Sequence, residues 1–493
     1  MISRREFTRA LLGFRATVAA LPAFLRAGTD TLAGTEIHAG GPPSSLAAPA
    51  DDPWIRISEI ESRIRPPAFP SRDFDLSKYG AVGDGVMDCT ASFGRAIQAC
   101  AESGGGRVIV SGGPFLTGPI HLKSNVNLHV AAGASIKFST DPARYLPAVL
   151  TRFEGMELMN YSPLIYAYGQ ENIAITGEGT LDGQADCSHW WPWKGRSNCG
   201  WERGGPDQTK ARSLLVEMVS SGTAVSDRVF GQGSYLRPQF IEPYRSKNVL
   251  IEGVTLKGSP MWNVHPVLCT NVTVRNLKIF SNGPNTDGCD PESCKDVLIQ
   301  DCNFSTGDDC IAIKSGRNND GRRVPVPSEN IIVRGCRMLQ GHGGVTIGSE
   351  ISAGVRNVFA EQCTMDSPSL NQAFRFKNNA VRGGLLENFY YRNIEVGQVA
   401  EAVIAVDFNY EEGDNGPFTP ILRNVVISGL KSHKSKYALD LQGLSKAPIA
   451  NVTLRDCIFD NVGNGNILKN VSGLEMRNVQ LNGKAMMPEA RSR

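Results

Sequence analysis

Apolar and polar residues alternate in a short phrase that recurs through the second half of the chain, each time directly after an Asn or Asp. Alternation with a period of two predicts a β-strand, and self-similarity at intervals of 23 to 36 residues is typical of a solenoid. The sequence therefore predicts an all-β fold of stacked coils, in which each coil hides its apolar face against its neighbours. The phrase begins at Asn248, Asn271, Asp296, Asn330, Asn357, Asn388, Asn424 and Asn451.

Two apolar columns emerge when these repeats are aligned. The first, one residue after the Asn or Asp, holds Val249, Val272, Val297, Ile331, Val358, Phe389, Val425 and Val452. The second, six residues after it, holds Val254, Leu277, Cys302, Cys336, Cys363, Ile394, Leu430 and Cys457. Because parallel strands lie about 4.8 Å apart, both columns should stack as inward-facing ladders. The Asn column should form an amide ladder at a turn, where Asn tolerates tight backbone geometry.

The chain has 12 cysteines, and the second column accounts for four of them. In a column otherwise filled by Val, Leu and Ile, a thiol should pack as a small apolar group. Cys187 with Cys199, and Cys289 with Cys294, fall in predicted loops and remain candidate disulfide pairs. No Cys or His spacing resembles a zinc site, so neither a metal nor a cofactor is expected.

Upstream of the repeats, the segment from Asp84 to Glu102 predicts a loop followed by an amphipathic helix. Phe93, Ala96, Ile97 and Cys100 would share one face of that helix. An N-terminal capping helix is expected on a solenoid, because an open end would expose apolar side chains and strand edges.

Residues 1–28 resemble a twin-arginine export signal, since Arg4 and Arg5 precede a weak apolar run. An amphipathic helix with an accidental Arg pair is the alternative. Residues 29–52 are rich in Gly, Ala, Pro and Ser and indicate a flexible leader. Residues 53–493 would then form a single β-helix domain of an exported protein, periplasmic or extracellular.

Composition narrows the choice of partners. A formal net charge of +2 on 493 residues argues against binding to nucleic acid or to a membrane surface as the main activity. No later stretch approaches the ~18 apolar residues that a membrane span needs. A local basic site for an acidic sugar remains compatible with this near-neutral net charge. The protein is expected to be a monomer.

Residues 186–240 interrupt the repeat and hold four of the six tryptophans, Trp190, Trp191, Trp193 and Trp201. Flat aromatic faces stack on sugar rings, so this Trp-rich insertion could form a wall of a sugar site. A satellite hydrophobic cluster that pins a long loop is an equally good interpretation.

Polar phrases follow consecutive predicted strands. They are Asn285–Gly288, Gly307–Cys310 and Gly341–Gly344, with Arg375–Lys377 one coil later. The alternation and the repeat together predict that all four phrases lie on the same side of successive coils.

The register of the repeat predicts which of these side chains meet. Asp308 and His342 both fall twelve positions after the Asn or Asp of their own coil, so they should lie on adjacent coils. The same alignment stacks Asp287 against Asp309. Glycoside cleavage needs a proton donor and a carboxylate that activates water or attacks the sugar, and clustered carboxylates raise at least one pKa. A cation site or a solvated turn is the alternative.

These phrases, and Ser305–Gly316 in particular, closely resemble the four signature segments of the polygalacturonases, glycoside hydrolase family 28. The resemblance spans roughly residues 73–480. It implies a right-handed parallel β-helix and the hydrolysis of α-1,4-galacturonosyl linkages in galacturonan, with inversion at the anomeric carbon.

By position, the resemblance makes Asp308 the general acid that protonates the leaving oxygen. Asp287 and Asp309 would hold and deprotonate the attacking water, and His342 would tune the protonation of the acid. Stacked carboxylates on adjacent coils should lie closer than the ~6.5–9.5 Å usual for inverting enzymes. Inversion therefore rests on the resemblance and not on the spacing.

The resemblance further implies that Arg375 and Lys377 bind galacturonate carboxylates near the scissile bond. The planar fork of Arg can grip a carboxylate with two hydrogen bonds. This motif reads Arg-Phe-Lys where many members have Arg-Ile-Lys, and Phe376 should face inward without affecting the site.

Two other activities fit the same fold. β-Elimination of the pectate lyase kind uses a basic residue such as Arg375, although the acid–histidine pair favours hydrolysis. A non-catalytic glycan-binding β-helix is the second, because fold alone does not fix function. For a hydrolase, the Trp-rich insertion and the segment Asn409–Pro420 could block one end of the cleft and favour exo action.

Overall fold

Parallel strands stack coil upon coil through the computed structural model, which describes residues 52–486. The first predicted column is confirmed, because Val249 pairs in register with Val272, Val272 with Val297, and Val297 with Ile331. The chain is a right-handed parallel β-helix, the hand that crossover connections between parallel strands favour. The predicted export signal and leader lie outside the described residues, apart from Asp52.

Each coil contributes strands to up to three sheets that surround the core. The ladder sheet carries the Asn column and contains Asp73–Asp75, Gly106–Val110, Val126–Val130, Glu171–Gly177, Lys247–Glu252, Thr270–Arg275, Lys295–Gln300, Ser328–Arg334, Val355–Glu361, Leu385–Arg392, Ile421–Ser428, Ile449–Phe459 and Val471–Leu481. The middle sheet contains Phe115–Thr117, Ser135–Phe138, Thr180–Asp182, Thr255–Lys257, Lys278–Ser281, Asn303–Thr306, Thr364–Met365, Glu395–Val396 and Lys431–Ser432. The cleft sheet contains Ile120–His121, Ile165–Tyr168, Ile241–Tyr244, Ile311–Ile313, Leu370–Lys377, Ala402–Asp407, Tyr437–Gln442 and Ile467–Lys469.

The remaining strands connect or cover these sheets. Arg337–Ile347 is long enough to run from the middle sheet into the cleft sheet. Val149–Phe153 and Met156–Asn160 form an antiparallel hairpin, called here the cleft hairpin. Lys484–Ala485 folds back antiparallel on the last long strand.

The predicted amide ladder is present. Asn248 donates a side-chain hydrogen bond to Asn172 at 2.8 Å, and Asn271 donates one to Asn248 at 2.7 Å. The pattern continues with Asn330 donating to Asp296 at 2.9 Å and Asn357 donating to Asn330. These residues have φ between about +50° and +60°, the left-handed region that Asn tolerates better than most residues.

The cysteines behave as the column predicts. Cys302, Cys336, Cys363 and Cys457 are all buried in the core. All twelve cysteines fall within residues 52–486 and are free thiols, so neither candidate disulfide pair is formed. Cys289 and Cys294 were predicted to lie in a loop. They are buried instead, because the coil turns there and directs both inward.

The described residues contain four α-helices, Ile55–Arg63, Thr90–Glu102, Thr209–Ser220 and Asn318–Arg323, and five short 3-10 helices, Leu76–Tyr79, Pro142–Tyr145, Trp191–Lys194, Ser197–Cys199 and Val225–Asp227. Thr90–Glu102 is the predicted cap, with Phe93, Ala96, Ile97 and Cys100 buried on one face. In the described part of the chain, no helix has the length and apolarity to cross a membrane.

The Trp-rich insertion packs on itself and on the coils. The Trp190 and Trp193 rings meet edge to face with centroids 4.9 Å apart, and Trp193 also contacts Tyr235. Trp191 lies so close to Gly283 that a Cβ there would approach its ring to 2.1 Å. Three of the four tryptophans therefore hold the insertion in place, as the hydrophobic-cluster interpretation predicts.

Candidate active site

The register of the cleft sheet brings the predicted acidic phrases together. Cys289 bridges to Ile311, and Ile311 pairs with Val345, so the residues just before them also stack. The Asp309 carbonyl accepts a hydrogen bond from the Gly288 amide at 2.9 Å, and the Asp308 carbonyl accepts one from the His342 amide at 3.0 Å. The predicted adjacency of these coils is therefore confirmed.

The three carboxylates form one compact group. Asp287, Asp308 and Asp309 each offer an oxygen that lies within 4.8 Å of those from the other two. Asp287 and Asp309 are buried, whereas Asp308 is half-buried and reaches the cavity. Such a group could attract a cation, but the neighbouring lysines Lys314 and Lys377 already supply positive charge.

His342 is the partner of Asp308. Its Nδ1 lies 2.9 Å from Asp308 Oδ1, and Asn285 donates a longer hydrogen bond of 3.5 Å to Oδ2. Burial disfavours the ionised form of Asp308, but the hydrogen bond and charge of His342 outweigh it and lower the pKa of Asp308. The same hydrogen bond raises the pKa of His342.

Asp287 carries the raised pKa that clustered carboxylates predict. Burial, followed by the negative charge of Asp308, raises the pKa of Asp287 to about 7. Lys314 opposes this shift from 3.7 Å away. In the free protein near neutral pH, Asp287 therefore holds a proton more readily than the predicted acid Asp308 does.

The two predicted basic residues have different surroundings. Lys377 is buried, and its Nζ lies 2.6 Å from Asp309 Oδ2. Arg375 is half-buried, and its Nη1 lies 3.5 Å from Asp309 Oδ1. Both approach the ring of Tyr410. Lys377 thus orients Asp309 directly, while Arg375 keeps part of its guanidinium facing the cavity.

A buried lysine that sequence analysis did not single out lies beneath the carboxylates. Lys314 Nζ contacts Glu350 at 3.2 Å and Asp290 at 3.5 Å, and it lies 4.3 Å from the centre of the Trp262 ring. Burial opposes the charge of Lys314, but these carboxylates and Asp287 raise its pKa. The signal that could have found Lys314 is a charged residue closing the otherwise apolar phrase Cys310–Ile313.

A cavity of about 490 Å³ opens above these groups, and part of its wall comes from outside the repeat. The cleft hairpin contributes Glu154, and the Trp-rich insertion contributes Lys194, Arg196 and Arg212. Trp262 from the coils also lines it. The insertion therefore presents basic side chains, and not its tryptophans, so the aromatic-wall interpretation is wrong for this cavity.

The model of the glycosyl hydrolases family 28 matches residues 230–480, about half of the chain. The chain belongs to glycosyl hydrolase family 28. The hyperthermoactive exopolygalacturonase of Thermotoga maritima, whose crystal structure is known, is 48% identical to this family 28 enzyme, with a TM-score of 0.85. That comparison covers 87% of this chain and 96% of the other.

Curated relatives point to the same family. A probable polygalacturonase of Vitis vinifera is 28% identical over 401 residues, which cover 77% of this chain and 73% of the relative. An exo-poly-alpha-D-galacturonosidase of Dickeya chrysanthemi is 25% identical over 467 residues, which cover 84% of this chain and 75% of the relative. This family 28 protein is therefore a glycoside hydrolase.

Proposed function

We propose that this enzyme hydrolyses the α-1,4-galacturonosyl linkages of galacturonan with inversion at the anomeric carbon. The observation that carries the proposal is the contact of Asp308 with His342 beside Asp287 and Asp309, in a cavity with cationic walls. An anionic polysaccharide suits such walls, because Arg and Lys bind carboxylates through charge-assisted hydrogen bonds. The named activities of the relatives support this substrate class.

In the proposed reaction, Asp308 donates its proton to the glycosidic oxygen as the bond from that oxygen to the anomeric carbon breaks. The Asp308–His342 pair holds one proton between its two members, so His342 can resupply the acid. Water attacks the anomeric carbon and loses a proton to Asp287 or Asp309. Asp287 acts as a base only when ionised, which its pKa of about 7 makes dependent on pH near neutrality.

We further propose that the enzyme acts from a chain end. Glu154 of the cleft hairpin accepts hydrogen bonds from Arg212 of the insertion at 2.7 Å and from Arg317 at 3.2 Å. Arg317 also contacts Glu411 at 3.1 Å, in the segment Asn409–Pro420. These ion pairs tie three wall segments together around the cavity. A cleft closed in this way would admit a chain end more readily than the middle of a polymer.

The competing activities make different predictions. β-Elimination would leave an unsaturated sugar and would not need the Asp308–His342 pair, whereas a glycan-binding β-helix would release no sugar. Arg375 is the residue that keeps elimination open. Its guanidinium is drawn toward Asp309, at 3.5 Å, and this contact favours a carboxylate-binding role over proton abstraction.

One time course tests reaction type and attack mode together. Polygalacturonate is incubated with the purified enzyme, and early products are sized by chromatography and inspected by proton NMR. Monomer or dimer from the outset, with the β-anomer appearing first, is the expected result. A ladder of oligomers would contradict exo action, a first α-anomer would contradict inversion, and unsaturated products would contradict hydrolysis. The Asp308→Asn variant is the inactive control.

We also propose that the enzyme is exported, is a monomer and meets its polymeric substrate outside the cytoplasm. Fusion of residues 1–52 to a reporter should direct it out of the cytoplasm of bacteria with a working twin-arginine pathway. The same fusion with Arg4 and Arg5 replaced by Lys should stay inside. Light scattering of the purified enzyme should give the mass of one chain, 53.3 kDa before any signal is removed.

A further inference from the structure

The Trp-rich insertion brings two cations without acidic partners to the wall of the cavity. Lys194 is half-buried and Arg196 is exposed, and both line the cavity. Among the described residues, no carboxylate lies within 4.0 Å of either side-chain nitrogen group, and neither side chain makes a hydrogen bond. Neither residue belongs to the four polar phrases of the repeat, and both lie N-terminal to the range 230–480 that the family model matches.

Lys194 shares its acidic neighbour with other cations. Its acidic neighbour Glu154 already accepts from Arg212 and Arg317. Burial lowers the pKa of Lys194 to about 8; the charge of Glu154 opposes this shift, and the charges of Arg237, Arg196 and Arg212 add to it. Cations packed this closely repel one another, so a bound anion would relieve the repulsion.

Arg237 of the insertion is linked to the proposed acid, and Lys194 and Arg196 line the same cavity as that acid. Arg237 is fully buried and donates to the carbonyls of Pro260 and Pro284 and, at 2.9 Å, to the side-chain oxygen of Asn285. Asn285 in turn donates to Asp308. Asn285 is therefore the one side chain between Arg237 of the insertion and the carboxylate of Asp308.

Lys194 and Arg196 lie on one side of the three carboxylates along the stack of coils, and Arg375 lies on the other side. Lys194 ends the short 3-10 helix Trp191–Lys194, in which Trp191 Nε1 donates to the Ser259 carbonyl at 2.9 Å, and Ser259 lies on the coil just N-terminal to that of Asp287. Arg375 lies on the C-terminal side, two coils beyond Asp309. Consecutive units of a galacturonan each carry one carboxylate, so a substrate that spans the scissile bond brings one carboxylate to each side.

We propose that Lys194 and Arg196 bind the carboxylate of the non-reducing-end uronate, the unit that is released. This inference rests on the proposed function and deepens it. The closed part of the cavity holds this released unit, and water attacks the anomeric carbon of that unit. The rest of the chain leaves past Arg375. The enzyme would then require a free carboxylate on the terminal unit and would discriminate against a methyl ester there.

The test compares three proteins on three substrates. The first variant combines Lys194→Met with Arg196→Met, which removes both charges and keeps the apolar stems. The control combines Arg203→Met with Lys210→Met, which removes two positive charges from exposed positions of the same insertion, outside the cavity. The substrates are trigalacturonate, trigalacturonate methyl-esterified only on its non-reducing-end unit, and the isomer esterified only on its reducing-end unit.

For trigalacturonate, the cavity variant should lose about 10- to 100-fold in kcat/KM, mainly through KM, as expected for one lost charge-assisted contact. Wild type should lose a similar factor when the non-reducing end is esterified, and the variant should lose almost nothing further. The control should match wild type on all three substrates. This non-additivity is the signature of a direct contact between the two cations and that carboxylate.

Other outcomes separate two kinds of failure. If wild type does not hydrolyse trigalacturonate, the proposed function fails. If wild type is active but kcat/KM of the cavity variant falls by the same factor on all three substrates, or equals that of the control, the carboxylate site is refuted. If only esterification of the reducing-end unit lowered kcat/KM of wild type, the proposed direction of the substrate in the cavity would be wrong. The single Arg196→Met variant, at an exposed position, repeats the comparison if the double variant has a lowered Tm.

Discussion

His342 Nδ1 lies 2.9 Å from Asp308 Oδ1, although the two residues are 34 positions apart in the chain. The contact links a half-buried imidazole to the carboxylate of the proposed acid. It lowers the pKa of Asp308 and raises that of His342, so the pair retains one proton until the pH passes the raised pKa of His342.

Replacing His342 by Gln should move the alkaline limb of the kcat/KM profile to lower pH. Without the imidazole, the proton of the pair resides on Asp308 alone, and a carboxylic acid loses its proton at lower pH than an imidazolium does. We expect about a 10- to 100-fold loss at the wild-type optimum, within the usual range for acid–base catalysis. A profile of unchanged shape would show that His342 does not supply the proton.

The Asp308→Asn variant should lose at least about 100-fold in kcat, because the amide keeps the shape of the side chain and removes the proton donor. It should also lower the pKa of Asp287, since the charge of Asp308 contributes to raising it. Carbon-13 NMR of the aspartate carboxyls measures that shift, and thermal unfolding checks the fold. Turnover close to wild type would refute the role assigned to Asp308.

Replacing Asp287 by Asn should stabilise the protein at pH 8 and abolish most activity. The folded state keeps a proton on Asp287 up to about pH 7, whereas an ordinary aspartate releases it near 3.8. The folded state therefore binds more protons in this window, and its stability falls as the pH rises through it. A pKa shift of this size corresponds to at most about 4 kcal/mol in the free energy of unfolding.

Chemical unfolding of wild type and Asp287→Asn at pH 5 and pH 8 checks this linkage. The stability advantage of the variant should be largest at pH 8 and should shrink toward pH 5. An advantage that grows at lower pH would mean that the pKa of Asp287 is not raised.

Lys377→Ala and Arg375→Ala should affect the enzyme differently. Removing Lys377 leaves Asp309 as a buried carboxylate without its partner at 2.6 Å, which costs about 3–5 kcal/mol when a buried pair is broken. Arg375 is half-buried with a longer contact, so its loss should raise KM for acidic substrate and leave stability nearly unchanged. Denaturant titration and steady-state kinetics on both variants separate the two effects. Equal losses of stability would contradict this distinction.

Glu154→Gln should loosen the closed end of the cleft. The amide cannot balance the charges of Arg212 and Arg317, which now meet on this carboxylate. The fraction of oligomers among the earliest products should rise, as measured by chromatography of a polygalacturonate digest. Glu217→Gln, at an exposed position on the helix Thr209–Ser220, is the matched control. An unchanged product pattern would mean that these ion pairs do not enforce exo action.

The fold was predictable because each coil repeats its neighbour's pattern. The Asn phrase and the column that starts at Val249 specify register locally, so counting twelve positions was enough to place Asp308 beside His342. Phe376 was also placed correctly, since it is buried against Phe389. Such inferences need only the pleat of a strand and the spacing between neighbouring coils.

The walls of the cavity were not predictable in this way. Glu154, Lys194 and Arg196 belong to segments that have no counterpart in the next coil, so the repeat assigns them no position. The insertion was recognised by its tryptophans, but three of those rings pack inward, and the cations Lys194, Arg196 and Arg212 line the cavity. Composition identified the segment, while its packing decided which side chains the substrate meets.

The sequence by itself determined the β-helix, the amide ladder and the meeting of Asp287, Asp308, Asp309 and His342, because a period of two and a repeated coil fix register between neighbours. Only the tertiary structure decided which carboxyl holds the proton and how the cleft is closed. Both depend on burial and on distances between segments far apart in the chain, and no local pattern encodes those distances.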